Sequence, residues 1–431
     1  MAATPASVAP APGKDYGRAA RVGLAVLTLI NLFNYLDRYV VSSLVESLKK
    51  SELALTDTQA GSLATAFLVV YMLTSPIFGT LGDRSARPRL LAIGVGIWSL
   101  ATALGGFARN FLGLFAARAT VGVGEAAYGT VAPALLADYF PKEKRGRVFA
   151  VFFAAIPIGS AAGYVLGGLI DQHYGWRSAF FIAGAPGLLL ALACLALKDP
   201  PRGAQDEGAP VAGAANKGTW AAYRNLLRNR PYTLTVLGYA AYTFALGGLA
   251  FWTPTFLERI RGLSKAEATV QFGVIIVATG FVGTFAGGWL GDYFLKRSSQ
   301  SYLWVSGFAT LAAAPAALIA FVSENRAVYM SAIVVAELLL FASTGPINSA
   351  IVNLVAPTER ATAVALSILT IHLLGDVPSP PLIGLISDAS SLLKAFLLLP
   401  VAIAAAGVIW LLAARSGARR DSRLKGQNGT P

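Results

Sequence analysis

Charge is what this sequence has least of. Asp, Glu, Lys and Arg make up 13% of its 431 residues, against about 25% in an average soluble protein. Hydrophobic residues make up 55% and the mean hydropathy is +0.60. That balance excludes an ordinary soluble domain and marks an integral membrane protein. Cysteine is almost absent: Cys194 alone excludes an intramolecular disulfide and any CxxC metal or redox site. No P-loop occurs, so ATP hydrolysis is not expected. No nucleophile and base pair or metal cluster points to an enzyme, and no cofactor or metal is expected. The first 19 residues, MAATPASVAPAPGKDYGRA, lack the apolar stretch and cleavage site of a signal peptide, so the first apolar segment reads as a retained span.

Apolar runs are abundant. A spanning helix needs roughly 20 residues, and twelve segments qualify, at about 20–46, 58–82, 89–108, 112–139, 146–170, 178–197, 232–258, 266–291, 301–322, 327–354, 360–387 and 393–414. The formal charge of +13 does not point to nucleic acid, because most Lys and Arg fall in the two tails and in the loops after even-numbered spans. The positive-inside rule therefore predicts cytoplasmic termini, in a plasma or bacterial inner membrane. The bilayer is the expected partner surface, nucleic acid is not, and the chain is expected to act as a monomer.

The stretch KDPPRGAQDEGAPVAGAANKG, rich in Pro, Gly, Ala and charge, follows the sixth span and reads as a linker. The predicted fold is an all-α membrane protein of twelve transmembrane helices in two pseudo-symmetric bundles. Its parts are a tail at 1–19, a six-helix bundle at 20–197, a linker at 198–231, a second bundle at 232–414 and a tail at 415–431. Internal repeats support the division: Leu55-Thr56 matches Leu263-Ser264, each opening a capping box with Gln59 or Glu267. LGD at 81–83 returns at 290–292. Pro141 with Glu143 matches Pro357 with Glu359, and GLI at 168–170 matches 384–386, both at a spacing of 216. Parallel repeats with a site between them suit alternating access. Gly159, Gly163 and Gly167, like Gly283 and Gly287, recur every four residues and predict close helix packing.

An ionisable group in mid-span costs roughly 2.5–3.5 kcal/mol on insertion scales and usually marks function. Asp37 and Arg38 lie in the first span, Arg118 and Glu125 in the fourth. Arg118 and Glu125, seven residues apart, share one face about 10.5 Å apart along the axis, too far to pair with each other. Asp37 and Arg38 point roughly 100° apart and cannot simply neutralise one another. The economical solution is for the two pairs to meet across a wet cavity. There they either lock helix 1 to helix 4 or handle protons and substrate, since arginine stays charged while carboxylates exchange protons. Tyr128, one turn beyond Glu125, is a further pocket candidate. Glu337, His372 and Asp376 are weaker ones in the second half, with Pro378, Pro380 and Pro381 breaking the helix nearby.

GTLGDRSARPR at 79–89 resembles the Gly-x-x-x-Asp-Arg-x-x-x-Arg-Arg signature of the major facilitator superfamily, except that Arg87 and Arg89 flank Pro88 where two adjacent basic residues are usual. ARATVGVGEA at 117–126 and GSAAGYVLGG at 159–168 resemble that superfamily's helix 4 and helix 5 motifs. The resemblance implies the major facilitator fold. It also implies a cytoplasmic gate at Gly79, Asp83 and Arg84, with Asp292 as the weaker counterpart because Tyr293 replaces the arginine. NYLDRYVV, RATVGVGEAAYGTVAPALLADYFP and GWRSAFFIAGAPGLLLAL resemble the spinster family. An Asp-Arg pair also occurs in helix 1 of organic anion:cation symporters, so NYLDR alone does not separate the two; GEAAYGT and ADYFP favour spinster. That likeness implies a proton-coupled secondary transporter of lysophospholipids or sphingosine-1-phosphate-like amphiphiles. Asp37 and Glu125 would act in protonation, Arg118 in binding or charge compensation, and Arg38 in the same network. A proton-coupled symporter of small organic anions is the alternative.

Overall fold

A computed structural model describes residues 17–140, 142–201, 204–205, 220–355 and 360–427. Regular structure among them is helical, as expected in lipid, where a helix satisfies its own backbone polar groups within one segment. The first half contains α1 (Gly17–Lys50), α2 (Asp57–Arg84), α3 (Arg87–Gly105), α4 (Phe111–Tyr139), α5 (Lys142–Tyr174) and α6 (Trp176–Leu195). The short α7 (Trp220–Arg228) precedes α8 (Arg230–Arg259), α9 (Lys265–Leu295), α10 (Ser301–Val322) and α11 (Arg326–Asn353). The eleventh span is broken into α12 (Arg360–Ile371), a π-helical turn (His372–Asp376) and α13 (Ser379–Ala389). The last comprises α14 (Leu392–Phe396) and α15 (Leu398–Gln427).

Each of the twelve segments falls on a helix. Among the described residues, eleven of the resulting spans are long and apolar enough to cross a membrane. The remaining one, α4, has 29 residues but carries Arg118, Glu125 and Asp138. Two stretches differ from the sequence reading. Residues 220–228 form a helix inside the expected linker, with Leu226 packed against Tyr232, Val236 and Ile351. The last helix continues beyond 414 to Gln427, through a stretch, ARSGARRDSRLKGQ, that contains no proline to stop it. Residues 1–16, most of the linker, Pro141, Pro357 and Glu359 lie outside the described residues, as does the side chain of Glu143.

Both capping boxes form. Thr56 accepts from the backbone of Gln59, and Ser264 from that of Glu267, with each Gln or Glu side chain returning to the cap residue. The residue two before each cap has positive φ: +43° at Ala54 and +69° at Gly262. The same turn is therefore built twice, once with the residue that tolerates it and once without.

The glycine runs are contact stripes. A Cβ at Gly159 or Gly163 would sit 2.4 or 2.5 Å from the carbonyl oxygens of Leu32 and Leu36, so α5 lies directly on α1. Gly283 and Gly287 likewise let α9 approach Leu338 and Ala342 of α11.

The polar contacts that join the halves gather at the side opposite the termini. Arg259 pairs with Glu46 and with Asp57, the latter at 2.5 Å, and Lys265 pairs with Asp171. Asp388 accepts from the backbone N–H groups of Asp57 and Thr58, at 2.8 Å each, and so caps α2 from the other half. Nearer mid-span, the Thr65 hydroxyl donates to the Val377 carbonyl at 2.5 Å. That carbonyl is freed because Pro381 has no N–H to return to it.

Two predictions follow from these joints. Arg259→Gln removes the cation shared by Glu46 and Asp57, 8% and 2% exposed, leaving Asp57 to Lys49 of its own half and the tie between the halves broken. Spin labels at exposed Glu52 and Glu324 should report a longer distance in the variant; an unchanged distribution would show that Arg259 is not a latch. Gly262→Ala, where a Cβ meets no atom within 4 Å, should cost about 1 kcal/mol through backbone strain alone. Ala54→Gly should not lower the melting temperature of the purified protein, and the reverse order of stabilities would refute the paired-turn reading.

Candidate functional site

The charged residues of α1 and α4 cross-pair. Arg38 Nε donates to Glu125 Oε2 at 2.7 Å, and Arg118 Nη1 reaches Asp37 Oδ1 at 3.5 Å. Helix geometry dictates this order. Asp37 and Arg38 diverge around α1, while Arg118 and Glu125 lie two turns apart on α4, so each finds its partner of opposite sign on the other helix. Thr102 of α3 completes the Asp37 shell, its hydroxyl donating to Oδ2 at 2.7 Å. Tyr35, Phe67 and Tyr71 surround the Arg38 guanidinium, with ring centroids 4.8, 5.0 and 5.1 Å away. These rings supply cation–π attraction where water is scarce.

The four residues do not all face a wet cavity. Asp37, Arg118 and Glu125 are buried in packed protein, at 1%, 2% and 0% exposure. Only the Arg38 side chain, 21% exposed, reaches open space. This corrects the expected wet meeting of all four, and its cause is the tight packing of α2, α3 and α4 around the cluster, where Gly122 would place a Cβ 2.5 Å from the Phe67 carbonyl. The cluster also keeps unused hydrogen-bonding capacity: Glu125 Oε1 and Arg118 Nε are buried without a hydrogen-bond partner.

Tyr128 is not a pocket residue. It is 2% exposed, its hydroxyl donates to the Leu27 carbonyl at 2.6 Å, and its ring meets Trp98 edge-on, fastening α4 to α1. At the expected gate, Arg84 is exposed and Gly79 has open space around its Cα. Asp292 is exposed and accepts a hydrogen bond from Tyr302 at 2.7 Å. The side chain of Asp83 lies outside the described residues.

The second-half candidates converge on a cavity of about 680 Å³ between the halves. Glu337 and Asp376 both line it, together with Tyr39, the residue after Arg38. Asp376 is held by His372 Nδ1 at 2.9 Å across the π-helical turn. The wall between α5 and α9 is aromatic. Phe153 and Phe285 belong to it and are 48% and 75% exposed.

The sequence reading missed two ionic clusters. One is the inter-half latch of Arg259, Glu46 and Asp57; charges at span ends are ordinary there, and only tertiary structure joins them. The other is buried Arg87, which binds Asp138 and reaches Asp199 at 2.7 Å within the first half. The departure at Pro88 was its visible trace, since Pro88 sits in the first turn of α3 and leaves Arg87 at the helix start.

Comparison with known proteins agrees with this architecture. The Major Facilitator Superfamily model matches residues 27–375. Protein spinster homolog 3 of Danio rerio is 36% identical over 391 residues, covering 87% of this chain and 78% of that protein. Human protein spinster homolog 1 is 34% identical over 395 residues, covering 87% and 74%. Drosophila melanogaster protein spinster is 33% identical over 397 residues; the match covers 89% of this chain but 65% of the longer fly protein. A crystal structure of a bacterial homologue of the human lysosomal transporter Spinster, inward-facing and unoccupied, superposes with a TM-score of 0.80 at 25% identity, covering 93% of this chain and 96% of that one. A D-xylose–proton symporter, 17% identical with a TM-score of 0.69, shares the fold. The chain therefore belongs to the Major Facilitator Superfamily and, within it, to the spinster-type transporters.

Proposed function

We propose that this protein moves lysophospholipid- or sphingosine-1-phosphate-like amphiphiles across its membrane by alternating access, coupled to protons, with both termini cytoplasmic. The observation that carries the reading is the cross-paired quartet. Formally neutral as two arginines and two carboxylates, it exposes one member, Arg38, which binds a carboxylate with a bare second oxygen. A proton on Glu125 weakens its hold on Arg38 and frees a guanidinium for an anionic head group, which guanidinium binds in a bidentate fork. Proton and head group thus favour each other's binding, and linkage makes that coupling reciprocal.

The largely apolar lining of the cavity supports an amphiphile over a small organic anion, because it offers an acyl chain a surface to pack against. With the latch closed opposite the termini, the arrangement suits the state open to the cytoplasm. Asp83 and Arg84 are then proposed to engage when that side closes. Arg118, buried against Asp37, is assigned to charge compensation, and Arg38 to the head group.

Uptake into proteoliposomes of labelled lysolipids and small organic acids, with and without an imposed pH gradient, tests the reading. Gradient-stimulated lysolipid uptake is expected; uptake of small acids alone would replace it. Asp37→Asn and Glu125→Gln, which nearly preserve shape, should insert normally yet lose gradient-driven accumulation. Accumulation by both variants at the parent level would remove protons from the quartet.

The arginines should separate. Arg38→Ala is expected to weaken anionic head-group binding by about tenfold or more, with Arg38→Lys intermediate. Arg118→Ala should chiefly lower thermal stability, because it strands buried Asp37. Unaltered affinity in Arg38→Ala on purified protein would return the binding role to Arg118.

A further inference from the structure

A second recess, of about 530 Å³, lies apart from the central cavity, among α9, α10 and α11 of the second half. Gly283 and Ala286 of α9 form one wall, Trp304 and Phe308 of α10 the other, and Leu338 of α11 lies between them. Among the described residues none from the first half lines it, and Phe308 is 60% exposed. The small side chains of α9 leave the space that the stacked rings of Trp304 and Phe308 border. From Gly283 to Phe294 the groove follows α9 for about 16 Å. That is the depth of one leaflet of a hydrocarbon core roughly 30 Å thick.

At the end of α9 on the side of the termini the lining stops being apolar. Arg297 and Ser298 belong to it there, and Lys296 beside them is exposed. Among the described residues neither cation is paired with a carboxylate. Asp292, the nearest acid along the chain, accepts a hydrogen bond from Tyr302. The Arg297 guanidinium lies 5.9 and 5.8 Å from the ring centroids of Tyr293 and Phe294, which steady it without neutralising it. The Ser298 hydroxyl accepts from the Gln300 N–H at 3.2 Å and keeps its own proton to donate.

An apolar trough one leaflet deep with two uncompensated cations at its mouth matches a membrane phospholipid of net negative charge. We infer that this groove binds an anionic phospholipid from the leaflet on the side of the termini, its phosphate on Arg297, Lys296 and Ser298 and an acyl chain along Phe308 and Leu338. The two charges select an anionic head group over a zwitterionic one. A lipid seated here touches three helices of one half and none of the other, so it makes the same contacts however the halves rock. It therefore stabilises the second bundle by mass action without choosing between the transport states.

The test measures binding of phosphatidylglycerol and of phosphatidylcholine with the same acyl chains to the purified full-length protein, by native mass spectrometry and by the rise in melting temperature. The parent should bind phosphatidylglycerol at least about tenfold more tightly. The double variant Lys296→Gln, Arg297→Gln should lose that preference, and Ala286→Trp, which fills the groove with a ring, should lose the tight site for phosphatidylglycerol. Arg38→Ala, altered in the central cavity, should match the parent within about twofold. A parent without preference, or a double variant that retains it, overturns the site. So does Ala286→Trp binding phosphatidylglycerol like the parent, which would place the lipid elsewhere, or Arg38→Ala losing it, which would place the lipid in the central cavity. Nothing is transported in this assay, so a protein with some other cargo would give the same result.

Discussion

The cross-pairing of α1 with α4 is the constraint on which the rest of the first half depends. Four ionisable side chains sit within spans where each alone would be costly, and they are tolerated because each finds a countercharge on the neighbouring helix. The arrangement is asymmetric in a useful way. Asp37 and Arg118 are sealed with Thr102, whereas Arg38 leans toward open space and touches Glu125 through a single carboxylate oxygen. One pair holds the helices together. The other can be broken by a proton without dismantling the first.

Around that cluster the structure is divided into stiff and separable contacts. Glycine stripes press α5 against α1 and α9 against α11 closely enough that any side chain would collide with backbone, so these pairs move as units. The joints between halves at the end opposite the termini add ionic and capping contacts, Arg259 on Glu46 and Asp57 and Asp388 on the start of α2, to the close approach of Gly61 to Pro380 and of Gly384 to Asp57. When the halves part, water can take over the partners of these polar groups, as a rocking mechanism requires. The cavity lies between the halves, with α5 and α9, one helix from each, in its wall.

Much of this was legible in the sequence. Twelve apolar segments, the two capping boxes and the glycine spacing follow from local rules, and a helix in lipid has few alternatives. The quartet was legible because mid-span charges are rare enough to be noticed, and helical periodicity excluded pairing within α1 or within α4. Exposure was not. Periodicity gives the face of Tyr128 but not its depth, and its hydroxyl proved to be tied to the α1 backbone. The Arg259 latch was invisible because Glu46, Asp57 and Arg259 are distant in sequence and unremarkable at span ends. The groove that ends at Arg297 was equally hidden, since a recess among three helices is a property of three-dimensional surroundings.

The central claim is that lipid movement and protonation of the Arg38–Glu125 pair are one event. The most direct measurement is luminal pH in proteoliposomes loaded with a pH-sensitive dye, with the membrane potential clamped, as a lysophospholipid is added outside. The account predicts a pH change that saturates with lipid concentration and keeps pace with lipid flux. Lipid flux at full rate with no accompanying proton movement would contradict it.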